Sequence, residues 1–285
     1  MACGKLAAVF GLGGDGEGDG YFWANNNETM SAITMISFSG GRSSAMMTKI
    51  LCENLPEDER IICFANTGKE AEQTLKFVHD FETNFGLKIH WLEYCPENHF
   101  KEVDYSSAAR NGEPYAALIE KRKFCPNPVA RFCTTELKIR PIKKFMQWLG
   151  FSEWDNAVGI RFDEPERYAR LAKSCARECW ESIAPLYHLR VRKQQVLQYW
   201  KDQAFDLELP EYLGNCDMCF LKSRHKLKRI ISEEPDRVEW WKDQEEKTGT
   251  TFRSGVSYAG IEILVRTMPQ LFDYDNEIPC LCTID

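Results

Sequence analysis

The sequence predicts an α/β fold built on a doubly wound, mostly parallel sheet. Three short apolar segments, at residues 33–38, 60–65 and 87–94, have the composition of buried strands. Helical patterns at residues 45–51 and 72–85 separate them, and alternation at this spacing favours parallel strands joined by helices. Ligands of such sheets bind beyond the carboxyl ends of the strands. The functional residues are therefore expected in the segments that follow the strands.

The composition is typical of a water-soluble globular protein. The 285 residues are 28% charged and 44% hydrophobic, and the net charge of −7 disfavours a general polyanion-binding surface while allowing a local basic groove. No long apolar run is present, so no membrane span is expected, and the first residues lack the pattern of a secretion signal. A cytoplasmic location is expected, where the 12 cysteines would stay reduced.

The chain is predicted to have three regions. Residues 1–30, rich in Gly, Asp and Asn, are predicted to form a flexible extension. Their Gly-x-Gly-x-x-Gly string at residues 11–16 is rejected as a dinucleotide site, because acidic residues within and after it would repel pyrophosphate and no helix can follow it. Residues 31–200 are predicted to form the α/β domain, and residues 201–285 a cysteine-rich helical region and tail.

The later elements follow from local patterns. Several prolines and an Asn-Gly pair predict a loop-rich insertion at residues 96–130. Pro141 suits the first turn of a helix at residues 138–150. Further strands are predicted at residues 156–160 and 183–189, and further helices at residues 191–201 and 240–247.

The segment between the first strand and the first helix has the composition of an anion-binding turn. Its residues are Ser39, Gly40, Gly41, Arg42, Ser43 and Ser44. The two glycines let the backbone turn sharply and approach an anion closely, and the new helix directs N–H groups and the positive end of its dipole at the turn. The serines add hydroxyl donors and Arg42 adds a positive charge. A phosphate group fits these donors, and a Ser/Gly turn without a ligand is the alternative.

Four strings, in order, resemble the PP-loop ATP pyrophosphatase superfamily and most closely its PAPS-reductase branch. They are S-G-G-x-x-S at residues 39–44, N-T-G-K-E at 66–70, C-x-x-x-x-K-x-x-P at 133–141 and G-x-R-x-x-E-x-x-R at 159–167. The resemblance covers residues 33–223 and implies the adenine nucleotide α-hydrolase fold.

The resemblance implies that the α/β domain binds ATP, or adenylyl sulfate, with Mg²⁺. The implied nucleotide-binding residues are Ser39, Gly40, Gly41, Arg42, Ser43, Ser44, Asn66, Thr67, Gly68, Glu70 and Glu164. Arg161 and Lys138 are implied catalytic groups, because cations must meet the phosphate charge. Glu164 would orient Arg161 or help to hold Mg²⁺. A surface ion pair is the alternative for Arg161 and Glu164.

The implied activity is cleavage of ATP to AMP and pyrophosphate, which activates an acceptor for sulfur transfer to a nucleic acid. Catalysis in this superfamily consists mostly of positioning and charge stabilisation. Two alternatives stay open. One is a thiol-dependent reductase of adenylyl sulfate or its 3′-phosphorylated form. The other is a non-catalytic nucleotide-binding subunit, because Ser43 stands where many ATP-using PP-loops carry Asp.

Four cysteines are predicted to hold a metal. Cys216 and Cys219 form a C-x-x-C, with Cys125 and Cys133 upstream. The iron–sulfur sulfonucleotide reductases carry a Cys-Cys pair far upstream of a C-x-x-C. Here Phe132 stands beside Cys133, so Cys125 would have to supply the fourth ligand. Four thiolates suit a [4Fe–4S] cluster, which is favoured, or zinc. Reduced thiols in a core loop are the alternative.

Two further cysteines, Cys280 and Cys282, lie in the tail. Sulfonucleotide reductases carry a nucleophilic tail cysteine in a Glu-Cys-Gly-x-His context, which is absent here. Both thiols are candidate catalytic groups that receive or pass sulfur, a role that requires an exposed thiolate.

Basic residues flank the cysteines on both sides. The residues that flank Cys125 and Cys133 are Lys121, Arg122, Lys123, Arg131, Arg140, Lys143 and Lys144, and those that follow the C-x-x-C are Lys222, Arg224, His225, Lys226, Lys228 and Arg229. Such a surface fits nucleic-acid phosphate, and a solvated helix face is the alternative. The candidate partners are an adenine nucleotide, a nucleic acid, a sulfur-donor protein and a second copy of the chain in a homodimer.

Overall fold

A computed structural model describes residues 33–174, 179–210, 212–214 and 216–268. The predicted extension at residues 1–30 and the tail cysteines Cys280 and Cys282 lie outside the described residues. The fold is α/β, with a six-stranded, mostly parallel sheet and a helical C-terminal part.

The sheet has the doubly wound order that the sequence predicts. Its strands are β1 (Thr34–Ser37), β2 (Arg60–Asn66), β3 (His90–Glu93), β4 (Lys101–Val103), β5 (Trp154–Val158) and β6 (Trp180–Ile183). Their spatial order is β4-β3-β2-β1-β5-β6. β1 pairs in parallel with β2 and β5, and β5 pairs in parallel with β6, while β3 and β4 are antiparallel. The chain therefore winds outward from β1 on one side and then returns to continue on the other, so the order reverses between β1 and β5.

Eleven helices are found in the described residues. They are α1 (Arg42–Asn54), α2 (Glu72–Phe85), α3 (Glu113–Arg122), α4 (Phe132–Thr134), α5 (Arg140–Trp148), α6 (Pro165–Ser174), α7 (Pro185–His188), α8 (Lys193–Lys201), α9 (Arg224–Glu233), α10 (Arg237–Thr248) and α11 (Tyr258–Thr267). A 3₁₀ turn, Glu57–Glu59, precedes β2, and a π-helical turn, Thr135–Ile139, joins α4 to α5. Within the described ranges, every helix is too short or too polar to cross a bilayer.

The chain divides into two compact units, each made of separate stretches. The first unit contains residues 1–63, 151–206 and 285, and the second contains residues 64–150 and 207–284. The predicted domain boundaries after residues 30 and 200 stay predictions, since units defined by contacts need not fold independently.

The core of the first unit lies along β1, β5 and α1. Ile36 and Ala157, which are paired across β1 and β5, are completely buried, as are Met46 and Leu51 on the inner face of α1. Strands covered on both faces tend to be apolar, as Met35 and Ile36 of β1 are, whereas β5 also contains the buried Asp155.

The core of the second unit contains a cluster of aromatic rings. The ring centroid of Trp241 lies 4.7 Å from that of Phe252, 5.3 Å from that of Tyr258 and 5.8 Å from that of Tyr115. All four side chains are almost fully buried. The cluster joins α3, α10 and α11, and so fixes the helical C-terminal part to the insertion that precedes α4.

Two of the predicted elements are wrong in detail. The insertion at residues 96–130 was expected to be irregular, yet it contains β4 and α3. Gly112 precedes α3 in the left-handed region, with φ +81°, and Pro114 lies in the first turn, where a proline costs no hydrogen bond. The strand predicted at residues 183–189 ends at Ile183, because Pro185 starts α7.

Candidate functional site

The turn after β1 is held in shape by the hydroxyl group of Ser44. Ser44 Oγ accepts hydrogen bonds from Ser39 N at 3.1 Å, from Ser39 Oγ at 3.0 Å and from Gly41 N at 3.3 Å. It donates to Gly41 O at 2.9 Å. Gly40 has φ +79°, in the region that favours glycine. Ser44 was predicted to donate to an anion, but its proton is directed at the backbone, so its role is to shape the turn.

α1 starts directly after this turn and supplies groups that suit an anion. The first hydrogen bond within α1 runs from Ala45 N to Gly41 O at 2.9 Å, so the N–H groups of residues 42–44 precede the helical ladder. The first turn of α1 carries no acidic side chain, and the positive end of the helix dipole is therefore not offset from within the helix. Both features would stabilise an anion, such as a phosphate or a carboxylate, at this turn.

Arg42 is bound to a carboxylate of its own unit. Its Nε and Nη2 donate to Oδ1 and Oδ2 of Asp206 at 2.7 and 2.9 Å, a bidentate ion pair. Trp200 Nε1 donates to Arg42 O at 2.9 Å. The sequence predicts a phosphate contact for the Arg42 guanidinium, whereas the structure uses it to anchor the start of α1. No local pattern indicated Asp206, which lies 164 residues away in the chain.

Arg161, which follows β5, lies against the start of α1. Its side chain is only 5% exposed, and its Nη1 donates to Ser43 Oγ at 3.1 Å. The two residues come from the segments after β1 and β5, the strands between which the sheet order reverses, and in open α/β sheets ligands bind at that point. The structure therefore brings together two of the predicted site residues. Because the Arg161 side chain is buried, the alternative of a solvated surface ion pair is excluded for it.

Two carboxylates hold the Arg161 segment. Arg161 Nε donates to Asp163 Oδ1 at 2.9 Å, and Arg161 N donates to Glu164 Oε2 at 3.0 Å. Burial would raise the pKa of the Asp163 carboxyl, but the charge and hydrogen bond of Arg161 outweigh it, and the pKa lies below its ordinary value. Glu164 also accepts a hydrogen bond from Arg167. Glu164 therefore orients Arg161 through the backbone, and its predicted contact with Mg²⁺ stays a prediction.

Gly159 allows the backbone after β5 to approach α1 closely. A Cβ atom at this position would lie 2.8 Å from Ser44 Cα and 2.9 Å from Ser44 N. Real Cβ atoms do not come so close to a backbone, so only glycine fits here. The fourth string therefore needs glycine at this position for steric reasons, because the Arg161 segment lies beside the Ser/Gly turn.

In the second unit, the segment after β2 forms a turn closed by Glu70. Glu70 Oε2 accepts hydrogen bonds from Thr67 N at 2.8 Å and from Thr67 Oγ1 at 2.7 Å. Gly68 has φ +77°, and its carbonyl accepts from Gly112 N at 2.8 Å. Asn66 Nδ2 donates to the buried Glu93 at 2.7 Å. The predicted nucleotide-binding residues of this segment are therefore built into an ordered turn.

Lys138 lies on the π-helical turn and faces the same segment. Its Nζ is 3.4 Å from Glu70 Oε1, and Glu70 is almost fully buried. π-helical turns occur often at functional sites, where they redirect a side chain out of the regular helical spacing. The structure therefore brings the predicted catalytic cation Lys138 to the predicted nucleotide-binding residue Glu70.

Three of the four predicted metal ligands interact electrostatically with the buried Tyr115. Burial raises the pKa of Tyr115 well above its ordinary value, and the negative charge of Cys133, Cys216 and Cys219 in their thiolate forms raises it further. Cys216 Sγ also lies 3.9 Å from Thr67 Oγ1. The C-x-x-C is therefore next to the segment that follows β2.

Cys125 has other partners. Its Sγ lies 3.3 Å from Thr248 Oγ1 and 3.6 Å from Gln244 O, and burial raises the pKa of its thiol. Within the described residues, which include all four cysteines, no three His, Cys, Asp or Glu side chains are grouped so that they could hold a metal ion. The residues as placed do not fit a four-thiolate site, so the metal prediction rests on the resemblance, and no chemical step is assigned to a metal.

Cys125→Ser is expected to leave the iron and zinc content of anaerobically purified protein unchanged, because the Cys125 thiol contacts Gln244 O and Thr248 Oγ1 of α10. Elemental analysis and a visible absorbance spectrum check this. Cys216→Ser is the matched comparison, since any metal held through the C-x-x-C is lost in that variant. If Cys125→Ser loses its metal, the prediction that all four cysteines hold it would be supported.

Asp217, inside the C-x-x-C, fixes this loop to the turn after β2. Its Oδ2 lies 2.9 Å from Lys69 Nζ, and both side chains are less than a tenth exposed. Asp217 Oδ1 accepts a hydrogen bond from Trp241 Nε1 at 2.9 Å, and Asp217 N donates to Lys69 O at 2.9 Å. The sequence did not single out Asp217 or its pairing with Lys69.

Comparison with protein families matches most of the α/β part of the chain. The family described as phosphoadenosine phosphosulfate reductase domain matches residues 33–209. All of the strands and the segments after β1, β2 and β5 lie within this range.

Similar proteins come from phages and an archaeon. An uncharacterized nin region protein of Escherichia phage lambda is 27% identical over 82% of this chain and 81% of its own length. An uncharacterized protein of Methanocaldococcus jannaschii is 30% identical over 78% of this chain, which spans 43% of that protein. Among solved structures, a phosphoadenylyl-sulfate reductase from Candida auris is 15% identical, with a TM-score of 0.43 over 65% of this chain and 78% of that one.

Proposed function

This chain belongs to the phosphoadenosine phosphosulfate reductase domain family, and on that premise we propose that it is an enzyme that binds ATP at the Ser/Gly turn and transfers AMP to an acceptor. An oxygen of the acceptor attacks the α-phosphorus, the bond from that phosphorus to the bridging oxygen of the β-phosphate breaks, and pyrophosphate leaves. The acceptor then carries AMP as a leaving group, which a sulfur nucleophile from a sulfur donor displaces.

The observation that carries the proposal is the position of Arg161. Its guanidinium lies at 3.1 Å from Ser43 Oγ, at the N-terminus of α1. Asp163 and Glu164 share the charge of Arg161 and hold it in place, while its Nη1 is directed at Ser43. Nη1 and the N-terminus of α1 would thus form a preorganised electrostatic environment for a polyphosphate, and such an environment is usually the largest single contribution to catalysis. Ser43 and the N–H groups of residues 42–44 would contact the pyrophosphate as it leaves.

Sulfur chemistry is assigned to the second unit. Cys133, Cys216 and Cys219 all influence the pKa of Tyr115, and Cys216 Sγ lies 3.9 Å from Thr67 Oγ1. A thiolate is the nucleophilic form of cysteine, so these residues, with the tail cysteines Cys280 and Cys282, are the candidates that receive or pass sulfur.

Gly41→Asp is expected to weaken ATP binding at least tenfold, because a carboxylate at the start of α1 repels phosphate. Gly41→Asn, of the same size but neutral, is the matched control and is expected to bind more tightly than Gly41→Asp. Titration calorimetry measures binding, and release of labelled pyrophosphate measures turnover. Tight ATP binding without turnover would favour the non-catalytic subunit. Absence of binding by the wild-type protein to both ATP and adenylyl sulfate would contradict the proposal.

A second candidate function is favoured by the family description itself. A reductase would release sulfite from adenylyl sulfate or its 3′-phosphorylated form, with electrons supplied by a reduced thioredoxin. Sulfite release that is lost in Cys280→Ser or Cys282→Ser would favour this reaction over the transfer of AMP.

A further inference from the structure

The exposed face of α5 carries two cations and an aromatic ring in one row. Arg140, Lys144 and Trp148 are spaced four residues apart, so they lie on the same side of the helix. Arg140 is 40% exposed and Trp148 is 69% exposed, an unusual value for a tryptophan. The opposite side of α5, with Ile142 and Phe145, is buried.

The last turn of α3 adds cations beside this row. Arg122 and Arg140 share one carboxylate, since Arg122 Nη2 bonds to Glu136 Oε1 and Arg140 Nη1 lies 2.8 Å from Glu136 Oε2. The Glu136 side chain is only 6% exposed, so it holds the two guanidinium groups together from below. Lys121 precedes Arg122 and is exposed. Two arginines and one carboxylate leave a positive charge at the surface.

The pKa of His99 reflects the positive charge of this region. Burial lowers the pKa of His99, and the charges of Arg140, Lys121 and Lys144 lower it further, with Glu136 acting in the opposite direction. Cations from α3 and α5 therefore act on the same imidazole ring, although the chain as a whole has a net charge of −7. The basic region is a local feature that the overall charge conceals.

We propose that this surface, formed by Lys121, Arg122, Arg140, Lys144 and Trp148, binds a single-stranded segment of a nucleic acid. The cations fit successive backbone phosphates, and the exposed indole ring of Trp148 offers a stacking platform, which requires an unpaired base. An acidic protein could pair with the same cations, but unlike a nucleic acid it has no base that could stack on the ring of Trp148. The inference rests on the proposed function in that it names the class of acceptor.

The test is fluorescence anisotropy with a short labelled oligouridylate, without ATP, so that failure of nucleotide binding leaves it unaffected. We expect the protein to bind this probe. The logarithm of the association constant should fall linearly with the logarithm of the salt concentration, with a slope of about −3, as expected for about four phosphate contacts on a single strand. Trp148→Ala is expected to weaken binding about tenfold with the slope unchanged, because stacking is not ionic. Lys144→Glu is expected to weaken binding and make the slope shallower.

Lys201→Glu is the matched control, since Lys201 is an exposed lysine on α8 in the first unit. It is expected to bind like the wild type. Binding by Trp148→Ala and Lys144→Glu that equals the wild type would overturn the proposal. Competition by polyglutamate as effective as that by unlabelled oligouridylate would overturn it in favour of an acidic protein partner. Circular dichroism of each variant separates loss of binding from loss of folding.

Discussion

Asp217→Ala is expected to lower the free energy of unfolding by about 3–5 kcal/mol, the range found when one partner of a buried ion pair is removed. The substitution leaves the Lys69 ammonium buried, with the ring of Trp240 at 5.0 Å as its remaining cation–π contact. It also removes the acceptor of Trp241 Nε1 in the aromatic core. Urea unfolding followed by tryptophan fluorescence measures the change.

An exposed ion pair of the same helical part provides the control. Lys247 pairs with Asp243 on α10 and is 64% exposed, so Lys247→Ala is expected to change the free energy of unfolding by less than about 1 kcal/mol. If Asp217→Ala were as mild as Lys247→Ala, the pair of Lys69 and Asp217 would not be what fixes the C-x-x-C loop to the turn after β2.

Gly159→Ala is expected to reduce pyrophosphate release on the order of 100-fold, the effect of moving catalytic groups by about 1 Å. The new methyl group would lie 2.8 Å from the Cα atom of Ser44, and a backbone cannot move aside as a flexible side chain can. The start of α1 or the Arg161 segment must then shift. Overpacking of this kind also costs about 1–3 kcal/mol of stability.

Gly260→Ala is the matched control for this substitution. A Cβ atom at Gly260 meets only side chains, at 3.2 Å from Val256 Cγ2 and 3.4 Å from Ser257 Oγ. Because Gly260 lies within α11, alanine there is expected to be neutral or to stabilise by up to about 1 kcal/mol. Wild-type turnover in Gly159→Ala would show that the close approach to Ser44 does not matter for the reaction.

Elements with a strong local pattern could be predicted from the sequence. α2 has its predicted bounds, Glu72–Phe85, because its buried residues recur with helical spacing and Gly86 ends it with φ +60°. The sequence does not predict α3, because Gly112 and Pro114 are also typical of a loop. The same two residue types also start helices, and only the buried face of α3, which packs on the aromatic core, distinguishes the two cases.

The candidate site divides in the same way. The Ser/Gly turn and Arg161 could be predicted because a family motif marks each, and the structure places Arg161 against Ser43 across 118 residues of sequence. The pairing of Arg42 with Asp206 has no motif, since an aspartate in a loop is common and its partner is chosen by the tertiary fold. Sequence patterns therefore could not predict the ion pairs that join distant segments of the chain.

The hydrogen bonds of the Ser44 hydroxyl have a thermodynamic consequence for any ligand of the turn. Ordering one residue of a flexible backbone costs about 1–2 kcal/mol, and a loop that orders only on contact subtracts this from its affinity. Here the hydroxyl of Ser44 accepts hydrogen bonds from Ser39 N and Gly41 N, so the turn is held by groups of the chain itself. An anion that binds at this turn would therefore not have to order the backbone, and its affinity would not be reduced by that part of the entropic cost of binding.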